Sequence, residues 1–313
     1  MVPWPSVSVI ISAAAAQKSL PNALKAIAEQ DYPGDIEVVV AAADKSTAQV
    51  AKDHEVIVID NPSRHTPVGL NLAARASTGA ILVRVDAHSV IPSDYIRRVV
   101  DCLTRTNADN VGGRQVPIGA TFVETAIAAA MSSRFGAGDA RYRIGGQPGP
   151  TDTVYLGAFR RSVFDRLGGF DERFLRNQDY EFNHRIRASG GVIWFDPEIA
   201  VAYRPRPSLP ALGSQYFQYG RWKRFFARSH DWSLRPRQWA PPLLVLTLVG
   251  SLIGSIWWKW LLAVPALYVL ELIAIGLASL PRLGAPALLM PVALLVMHVS
   301  WGIGFLLGQI RDR

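Results

Sequence analysis

Short apolar runs rich in β-branched residues alternate with helix-like segments over the first part of the chain. The apolar runs are Val7–Ile11, Ile36–Ala41, Glu55–Ile59 and Ile81–Val85. The helical segments between them are Leu20–Gln30, Gln49–Lys52 and Val68–Ala76. Such repeats, joined by short connections, predict parallel strands with right-handed crossovers and helices on the faces of the sheet. The chain is therefore expected to begin with an α/β domain, a class of fold that does not by itself fix an activity.

Charged residues become rare from Trp239 onward, whereas the chain before that point has the charge density of a water-soluble domain. Three apolar stretches follow, at Pro241–Trp257, Trp260–Leu280 and Pro286–Gly308. Each is close to the ~20 residues that an α-helix needs to span a bilayer. Trp257, Trp258 and Trp260 surround Lys259, a composition typical of a membrane–water interface. We predict about three membrane-spanning helices; two spans with a re-entrant segment are the alternative.

The formal net charge is +8, and much of the excess lies in residues 204–237, directly before the apolar stretches. Basic residues in this place favour the anionic headgroups of a cytoplasmic membrane face over nucleic acid. The same segment alternates aromatic and basic residues, which predicts an amphipathic helix in the membrane surface. An ordinary packing helix is the alternative. The predicted domains are therefore residues 1–205, an interfacial segment at 206–237 and a transmembrane domain at 238–313.

Asp86-Ala87-His88 follows the apolar run Ile81–Val85 directly. In open α/β sheets the carboxyl ends of the strands are where ligands bind. A carboxylate and an imidazole two residues apart converge on one divalent cation if the chain is extended, and this ligand pair suits Mn²⁺ or Mg²⁺. The chain has neither a Walker loop nor a Gly-x-Gly-x-x-Gly fingerprint, so a cation bridging a diphosphate is the alternative way to hold phosphates. An Asp that starts a turn beside a surface His is the competing interpretation.

A second acidic position, Asp179, precedes a predicted helix at Tyr180–Ala188. Asp at the start of a helix is a common N-cap, which stabilises by roughly 1 kcal/mol. A rigidly held carboxylate can also serve as a general base for an acceptor hydroxyl. An Ala-rich helix is expected at Thr121–Phe135. The glycine-rich segment Gly136–Pro150 after it is either a mobile loop over a site or a plain connector.

A series of short motifs occurs in a recognisable order over about residues 6–230. The motifs are Val7–Ile11, Gln30–Pro33, Asn61-Pro62, Val83–His88, Asp152–Val154, Gly157–Arg161, Arg176–Asn183 and Gln218–Trp222. Together they resemble the family 2 inverting glycosyltransferases of the GT-A fold with a C-terminal membrane anchor. Within that family the chain is most similar to bacterial exopolysaccharide glucosyltransferases of the succinoglycan-biosynthesis type. The resemblance implies a nucleotide-binding, mixed but mainly parallel sheet flanked by helices, then an interfacial helix and a small transmembrane helical domain.

The resemblance also implies roles for individual residues. Asp86 and His88 stand where the family has its Asp-x-Asp metal motif, and Asp179 stands at the position of the catalytic base. The Gln-x-x-Arg-Trp motif, near the diphosphate and acceptor in the family, is matched at Gln218–Trp222. The resulting donor-binding candidates are Asp44, Arg84, Asp86, Gln218, Arg221 and Trp222.

The chain departs from the family pattern in two loops. Strand one is usually followed by Pro-x-x-Asn-Glu, but the segment here is Ser12–Gln17, which has no acidic residue. The second strand usually ends in one or two Asp that hold the base or ribose, and here it ends in three alanines before Asp44. Asp44 substitutes by a register shift, or the contact is lost. In the second case the cation at Asp86 and His88 carries more of the donor binding than in relatives.

The implied activity is a single, inverting displacement that moves a hexose from a nucleoside-diphosphate sugar, with UDP favoured, to a lipid-linked saccharide. Its setting would be the bacterial inner membrane, multi-pass, with the catalytic domain in the cytoplasm; the implied partners are the donor, the acceptor and membrane lipids, and no nucleic acid. A weakened, glycosyltransferase-like scaffold of envelope polysaccharide assembly is the alternative. A transporter component is the weakest option, because the predicted spans offer only Glu271 and His298 as ionisable groups for a transport path.

Overall fold

The computed structural model describes residues 3–308, which form a mixed sheet, its flanking helices and a set of C-terminal helices. The strands are β1 (Val7–Ala13), β2 (Ile36–Ala42), β3 (Ile57–Asp60), β4 (Ile81–Arg84), β5 (Asn110–Pro117), β6 (Gly149–Pro150), β7 (Tyr155–Arg160) and β8 (Ile193–Tyr203). The first nine helices are α1 (Leu20–Ala28), α2 (Lys45–Asp53), α3 (Thr66–Arg75), α4 (Tyr95–Thr106), α5 (Phe122–Ser132), α6 (Arg134–Ala137), α7 (Arg141–Ile144), α8 (Arg161–Arg166) and α9 (Gln178–Ala188). The remaining helices are α10 (Leu209–Ser229), α11 (Pro236–Gly254), α12 (Ala263–Leu283) and α13 (Met290–Leu307), with 3₁₀ turns at Lys259–Leu262 and Ala285–Leu288.

The chain divides into two compact units. The sheet unit comprises the described chain up to Val116 together with Gly145–Ala202. The helical unit comprises Pro117–Ile144 together with the described chain from Tyr203 onward. The division at residues 205 and 237 that we predicted from composition is a different description of the chain, and it stays a prediction.

The sheet has the order β3-β2-β1-β4-β7-β5-β8-β6. β1 pairs in parallel with β2 and β4, and β2 pairs in parallel with β3. β7 runs antiparallel to β4 and β5, and β6 runs antiparallel to β8. The prediction of a mixed α/β sheet whose parallel strands come from the N-terminal repeats is confirmed. β5, β6 and β8 were not anticipated as strands.

Both faces of the sheet are covered along β1 and β4, which explains why these strands are mainly apolar. Along β1 the side chains of Val9 and Ile11 enter one apolar cluster, whereas Ile10 enters another. Successive strand residues point to opposite faces, so a strand covered on both sides has apolar residues at successive positions, as Val9, Ile10 and Ile11 show. The prediction that Val7–Ile11 forms a strand is confirmed.

The helical unit is held together by close approach of helix backbones. A Cβ added at Gly220 of α10 would lie 2.0 Å from the carbonyl oxygen of Trp301, and one at Gly304 of α13 would lie 2.1 Å from that of Phe217. Glycine at these positions lets α10 and α13 meet backbone to backbone. The buried residues of α10 include Trp222, Phe225 and Phe226. The aromatic side of this helix is therefore largely packed; its predicted place in a membrane surface stays a prediction.

Within residues 3–308, two segments are long and apolar enough to cross a bilayer, judged by length and composition: Lys259–Leu283 and Met290–Leu307. These correspond to the second and third predicted spans. The first corresponds to α11, which is not apolar enough over such a length, since its first turn carries Arg237 and Gln238 and two prolines, Pro241 and Pro242, lie inside it. The predicted number of three spans is thus reduced to two candidates.

We expect Gly220→Ala to destabilise the helical unit by about 1–3 kcal/mol, the usual cost of overpacking, because the new methyl group meets a rigid backbone carbonyl. The midpoint of thermal unfolding of the purified protein measures this. Gly250→Ala is the matched control, since nothing lies within 4 Å of a Cβ added there on α11. It should be neutral or stabilising by up to about 1 kcal/mol. Equal unfolding midpoints for the two variants would mean that α10 and α13 do not meet as described.

Candidate active site

Asp86 lies at the carboxyl end of the central parallel strands. β4 ends at Arg84, and the Val85 amide still donates to the Ile10 carbonyl of β1 at 3.2 Å. A turn follows at once, closed by the Ser89 amide donating to the Asp86 carbonyl at 2.8 Å. His88 is exposed on this turn. Asp86 therefore does start a turn beside a surface His, as the competing interpretation expects. This turn lies at the sheet edge where ligands bind in this class of fold.

Arg84 joins the two acidic positions that the sequence singled out. Its guanidinium donates from Nε and Nη2 to the same Asp86 oxygen, Oδ1, at 3.1 and 2.8 Å. Its Nη1 lies 3.9 Å from Oδ2 of Asp179. The arginine side chain is only 9% exposed, whereas those of Asp86 and Asp179 are 22% and 42% exposed. A buried cation thus holds two carboxylates that remain open to a ligand.

Asp179 belongs to the first turn of α9 but is not its N-cap. The N-cap is Asn177, in the left-handed conformation with φ 62°, and its side chain makes no capping hydrogen bond. Oδ1 of Asp179 accepts from the Tyr180 amide at 2.8 Å. Asp179 is therefore held at a helix N-terminus, where the helix dipole favours negative charge. The sequence left open whether Asp179 is an N-cap or a general base, and the structure places Asn177 at the N-cap position.

Charged and titratable side chains surround Asp86. Burial disfavours the charged form of Arg84, but the neighbouring Asp86 and Asp179 carboxylates outweigh that effect and raise its pKa. Burial, together with the Asp86 charge, raises the pKa of Tyr155 to about 12, and burial likewise raises the pKa of Tyr95. Both tyrosines therefore stay neutral. The buried Tyr95 hydroxyl has no hydrogen-bond partner within the described chain.

The residues present fit a divalent cation that is shared with a ligand, but they do not form an all-protein metal site. No three His, Cys, Asp or Glu side chains within residues 3–308 are grouped so that they could hold a metal ion. Arg84 uses only Oδ1 of Asp86, which leaves Oδ2 for a cation. Mg²⁺ is commonly bound by one or two carboxylates together with substrate phosphates and water. The buried Tyr95 hydroxyl nearby is a polar group without a partner in the described chain.

Asp44 follows β2 and caps α2. Its Oδ1 accepts from the Thr47 amide at 2.9 Å and from the Ser46 hydroxyl at 2.6 Å. Its Oδ2 accepts from the Ala15 amide at 2.7 Å and from the Thr47 hydroxyl at 2.9 Å. These hydrogen bonds lower the pKa of Asp44, most strongly the one from Ser46. Asp44 thus ties the alanine-rich loop after β1 to α2, and its donor-binding role stays a prediction.

We expect Asp44→Ala to lower the free energy of unfolding by about 1–2 kcal/mol through loss of this cap. A carboxylate whose pKa is depressed in the folded state stabilises above its unfolded value of about 3.9, and this contribution disappears as pH falls below it. The difference between wild type and variant in urea unfolding should therefore be full at pH 7 and shrink toward pH 3. Asp53→Ala, at the other end of α2, should change stability by less than about 0.5 kcal/mol; a pH-independent difference for the Asp44 variant would contradict the capping role.

Gln218, Arg221 and Trp222 lie on successive turns of α10 in the helical unit. Trp222 is buried, and its ring packs edge-on against Phe225 at 5.6 Å. Gln218 and Arg221 are half-buried. Their predicted contact with the diphosphate stays a prediction, as does that of Trp222.

Comparison with known proteins decides the family. Residues 8–168 match the model of glycosyl transferase family 2. The succinoglycan biosynthesis protein ExoA of Rhizobium meliloti is 30% identical over 285 residues, which cover 87% of this chain and 86% of the relative. The chain belongs to glycosyl transferase family 2. The resemblance that the sequence motifs predicted is therefore confirmed, and the protein is a family 2 glycosyltransferase.

More distant relatives of this glycosyltransferase carry related names. An enzyme of Methanococcus voltae named dolichyl N-acetyl-α-D-glucosaminyl phosphate 3-β-D-2,3-diacetamido-2,3-dideoxy-β-D-glucuronosyltransferase is 21% identical and covers 97% of both chains. Among solved structures, the mannosyltransferase PcManGT of Pyrobaculum calidifontis, in complex with GDP-Man and Mn²⁺, superimposes with a TM-score of 0.62 at 20% identity, over 96% of this chain and 87% of that one. Residues 1–349 of S. aureus TarS, in complex with UDP, give a TM-score of 0.52 at 14% identity, over 96% and 90%. The predicted GT-A fold is confirmed.

Sequence reasoning missed three polar residues at the site of this glycosyltransferase. Tyr95 and Tyr155 lie close enough to Asp86 for its charge to raise their pKa. Asn177 precedes Asp179, and its side-chain nitrogen is buried without a partner in the described chain. Tyr95 stands at the start of a helix with many apolar residues, so its sequence context did not indicate a site. Asn177 lies inside the Arg176–Asn183 motif. Asn adopts the left-handed conformation more readily than most residues, and this property could have identified it.

Proposed function

We propose that this glycosyltransferase moves a hexose from a nucleoside-diphosphate sugar to a lipid-linked saccharide at a membrane, with inversion at the anomeric carbon. The observation that carries the proposal is the cluster of Arg84, Asp86 and Asp179. It combines a carboxylate with one unused oxygen for a cation and a second, more exposed carboxylate for a proton. The GDP-Man and UDP present in the two solved GT-A structures support a nucleotide donor.

In the proposed reaction Asp179 accepts the proton of the attacking hydroxyl. Its exposure of 42% leaves it open to an acceptor, and the helix N-terminus keeps its carboxylate oriented. Arg84 keeps Asp86 fixed through its two hydrogen bonds, and its positive charge lies 3.9 Å from the Asp179 carboxylate. A Mn²⁺ or Mg²⁺ ion held by Asp86 and His88 would supply charge stabilisation for the departing diphosphate. A single displacement needs no protein nucleophile.

The proposed membrane setting rests on the surface of the helical unit. Of the most apolar part of Lys259–Leu283 only 11% is buried, and Leu267 and Leu270 are 64% and 60% exposed. Trp257, Trp258 and Trp260 are exposed as well. Soluble proteins rarely expose contiguous apolar surface of this kind. We propose that these helices anchor the enzyme in the bacterial inner membrane, with its catalytic unit in the cytoplasm. The name of the Methanococcus relative supports a lipid-linked acceptor.

One observation favours the alternative of a weakened, scaffold-like protein. The Asp44 carboxylate accepts its four hydrogen bonds from Ala15, Ser46 and Thr47, and the loop Ser12–Gln17 carries no carboxylate. Loss of a charged hydrogen bond to the donor would cost about 1.5–3 kcal/mol of binding. Donor turnover distinguishes the two functions, since a scaffold would bind without consuming the donor.

The experiment is a panel of UDP- and GDP-sugars offered to the full-length protein in detergent, with Mn²⁺, Mg²⁺ or EDTA. Thermal stabilisation reports binding, because a ligand at 100 times its Kd stabilises the folded state by about 2.7 kcal/mol. Release of nucleoside diphosphate reports turnover. We expect one donor to stabilise the protein and to be consumed when a cation is present. If no donor is bound or consumed under any condition, the proposed function is wrong.

A further inference from the structure

Arg143 of α7 is a buried arginine without a negatively charged partner. The residue is 9% exposed, and within residues 3–308 no carboxylate forms an ion pair with it. Its Nη1 has no hydrogen-bond partner in that part of the chain. Its Nε makes one long contact, 3.4 Å, to the hydroxyl of Tyr142. A buried charge left in this condition is unfavourable unless something else compensates it.

Other partly buried arginines of the chain show what compensation looks like. Arg185 donates to both oxygens of Glu181, at 2.7 and 2.8 Å. Arg160 donates to the Leu103 and Ala108 carbonyls at 2.8 and 2.9 Å, as a structural brace does. Arg143 has neither a carboxylate nor a carbonyl acceptor among the described residues. It therefore does not resemble the structural arginines of this protein.

The groups that do face Arg143 are tyrosine hydroxyls. Its guanidinium lies over the Tyr142 ring, 5.3 Å from the centroid. Tyr216 and Tyr219 of α10 lie near enough to contribute to the raised pKa of Arg143. The hydroxyl of Tyr216 forms no hydrogen bond within the described chain. Burial raises the pKa of Tyr216, so it remains neutral and offers an O–H donor without a negative charge. The cluster is thus one buried positive charge beside tyrosine hydroxyls, of which that of Tyr219 also accepts from Nε2 of Gln215 at 2.9 Å.

This arrangement suits an anion with several acceptor oxygens. A phosphoryl group carries three such oxygens, and a guanidinium with its forked N–H groups recognises it well. All members of the cluster belong to the helical unit, which also carries the exposed apolar helices. An anion that arrives on an apolar chain is the ligand that this combination favours.

We propose that Arg143, with the hydroxyls of Tyr142, Tyr216 and Tyr219, binds a phosphoryl group of the acceptor's lipid carrier. The inference rests on the proposed function for the existence of a lipid-linked acceptor. The donor's diphosphate offers the same chemistry, and the experiment below separates the two sources.

Glycines with positive φ flank α7 on both sides. Gly138 precedes the helix with φ 61°, and Gly145 and Gly146 follow it with φ 81° and 131°. Glycine adopts these conformations without strain, and nothing lies within 4 Å of a Cβ added at Gly146. Residues 139–144 are therefore joined to the rest of the chain by permissive positions, and a shift of this short segment would expose the guanidinium.

The test measures binding of farnesyl phosphate, with farnesol as the uncharged analogue, to the full-length protein in nanodiscs. The variants are Arg143→Gln, Arg143→Lys and, as a matched control on the same short helix, Arg141→Gln. We expect wild type to bind farnesyl phosphate at least tenfold more tightly than farnesol. The Gln variant should lose that preference, the Lys variant should keep part of it, and the control should stay within twofold of wild type. Affinity for UDP or GDP with Mn²⁺ should be unchanged in all of them.

A stability measurement separates binding from a structural role. Because Arg143→Gln removes an uncompensated buried charge, its Tm without ligand should equal or exceed that of wild type, whereas loss of a structural brace would lower it. Unchanged farnesyl phosphate binding in the Gln variant would overturn the inference. Weakened nucleotide binding with unchanged farnesyl phosphate binding would assign the site to the donor and also overturn it. If wild type consumes no sugar nucleotide, the proposed function fails, and the farnesyl phosphate comparison still decides whether Arg143 is a phosphoryl site.

Discussion

Asp179→Asn is expected to reduce sugar transfer by about 10²–10⁴-fold, the usual contribution of a general base. The amide cannot accept the proton of the acceptor hydroxyl, yet it has nearly the same shape and keeps an oxygen that can accept from the Tyr180 amide. The contact with Arg84 is long, 3.9 Å, and the carboxylate is 42% exposed. Such a contact is worth at most about 1 kcal/mol, so donor affinity should change by no more than about fivefold. Initial rates and donor titrations on the same preparations measure both quantities.

The control for this variant is Asp165→Asn. Asp165 is an exposed carboxylate on α8 of the same unit, and its substitution removes the same charge. It should leave both transfer and donor affinity unchanged. A transfer rate in Asp179→Asn within a few fold of wild type would remove Asp179 as the base. Loss of donor binding together with transfer would instead make it a binding residue.

Asp86→Asn is expected to abolish the cation dependence of donor binding. With Mn²⁺ present, donor affinity should fall by about 100-fold, the upper end of what loss of even an outer-shell metal partner costs. With EDTA present, wild type and variant should bind the donor equally weakly, because the cation then contributes to neither. The loss is expected to be large because the usual acidic contacts to the nucleotide are absent from the loop Ser12–Gln17 and Asp44 is engaged in capping. Titration of the donor against each protein, with and without Mn²⁺, measures the four affinities.

Asp101→Asn serves as the control for Asp86→Asn, since it removes an exposed carboxylate from α4 without touching Arg84. Its donor affinities with Mn²⁺ and with EDTA should match those of wild type. If wild type binds the donor equally well with Mn²⁺ and with EDTA, the cation does not contribute to affinity. Asp86 would then act on the donor in another way.

Much of the sheet could be predicted, and the unpredicted part has a physical cause. β1 and β4 are buried on both faces, and β1 to β4 all contain mainly apolar runs between helical segments, which made them recognisable. β5 contains Gly112 and Gly113, which lower strand propensity, and its pairing with β7 shifts register there. Gly113 is required because an added Cβ would lie 1.6 Å from the carbonyl oxygen of Ile199. The residues that allow this packing are thus the ones that hide the strand in the sequence.

The site could be predicted only in its parts. Asp86 and Asp179 each stood next to an identifiable element, but only the tertiary fold brings Arg84 between them. Arg84 is one of four buried residues of β4, and a sequence does not show whether a basic residue inside a strand is paired or solvated. The same holds for Arg143, which lies in a basic, glycine-rich segment that we predicted as a mobile loop or connector. The structure places the end of α6 and the one-turn helix α7 in this segment and buries the arginine.

The most direct test of the central claim, a single displacement with Asp179 as the base, is the anomeric configuration of the first product. The donor used is α-linked. Proton NMR of the sugar, recorded directly after its transfer or release, gives the configuration before mutarotation obscures it. We expect the β-anomer, and we expect its rate of formation to fall in Asp179→Asn without a change of configuration. Formation of the α-anomer would require two displacements or attack from the same face, and it would contradict the assignment of Asp179 as the base of one inverting step.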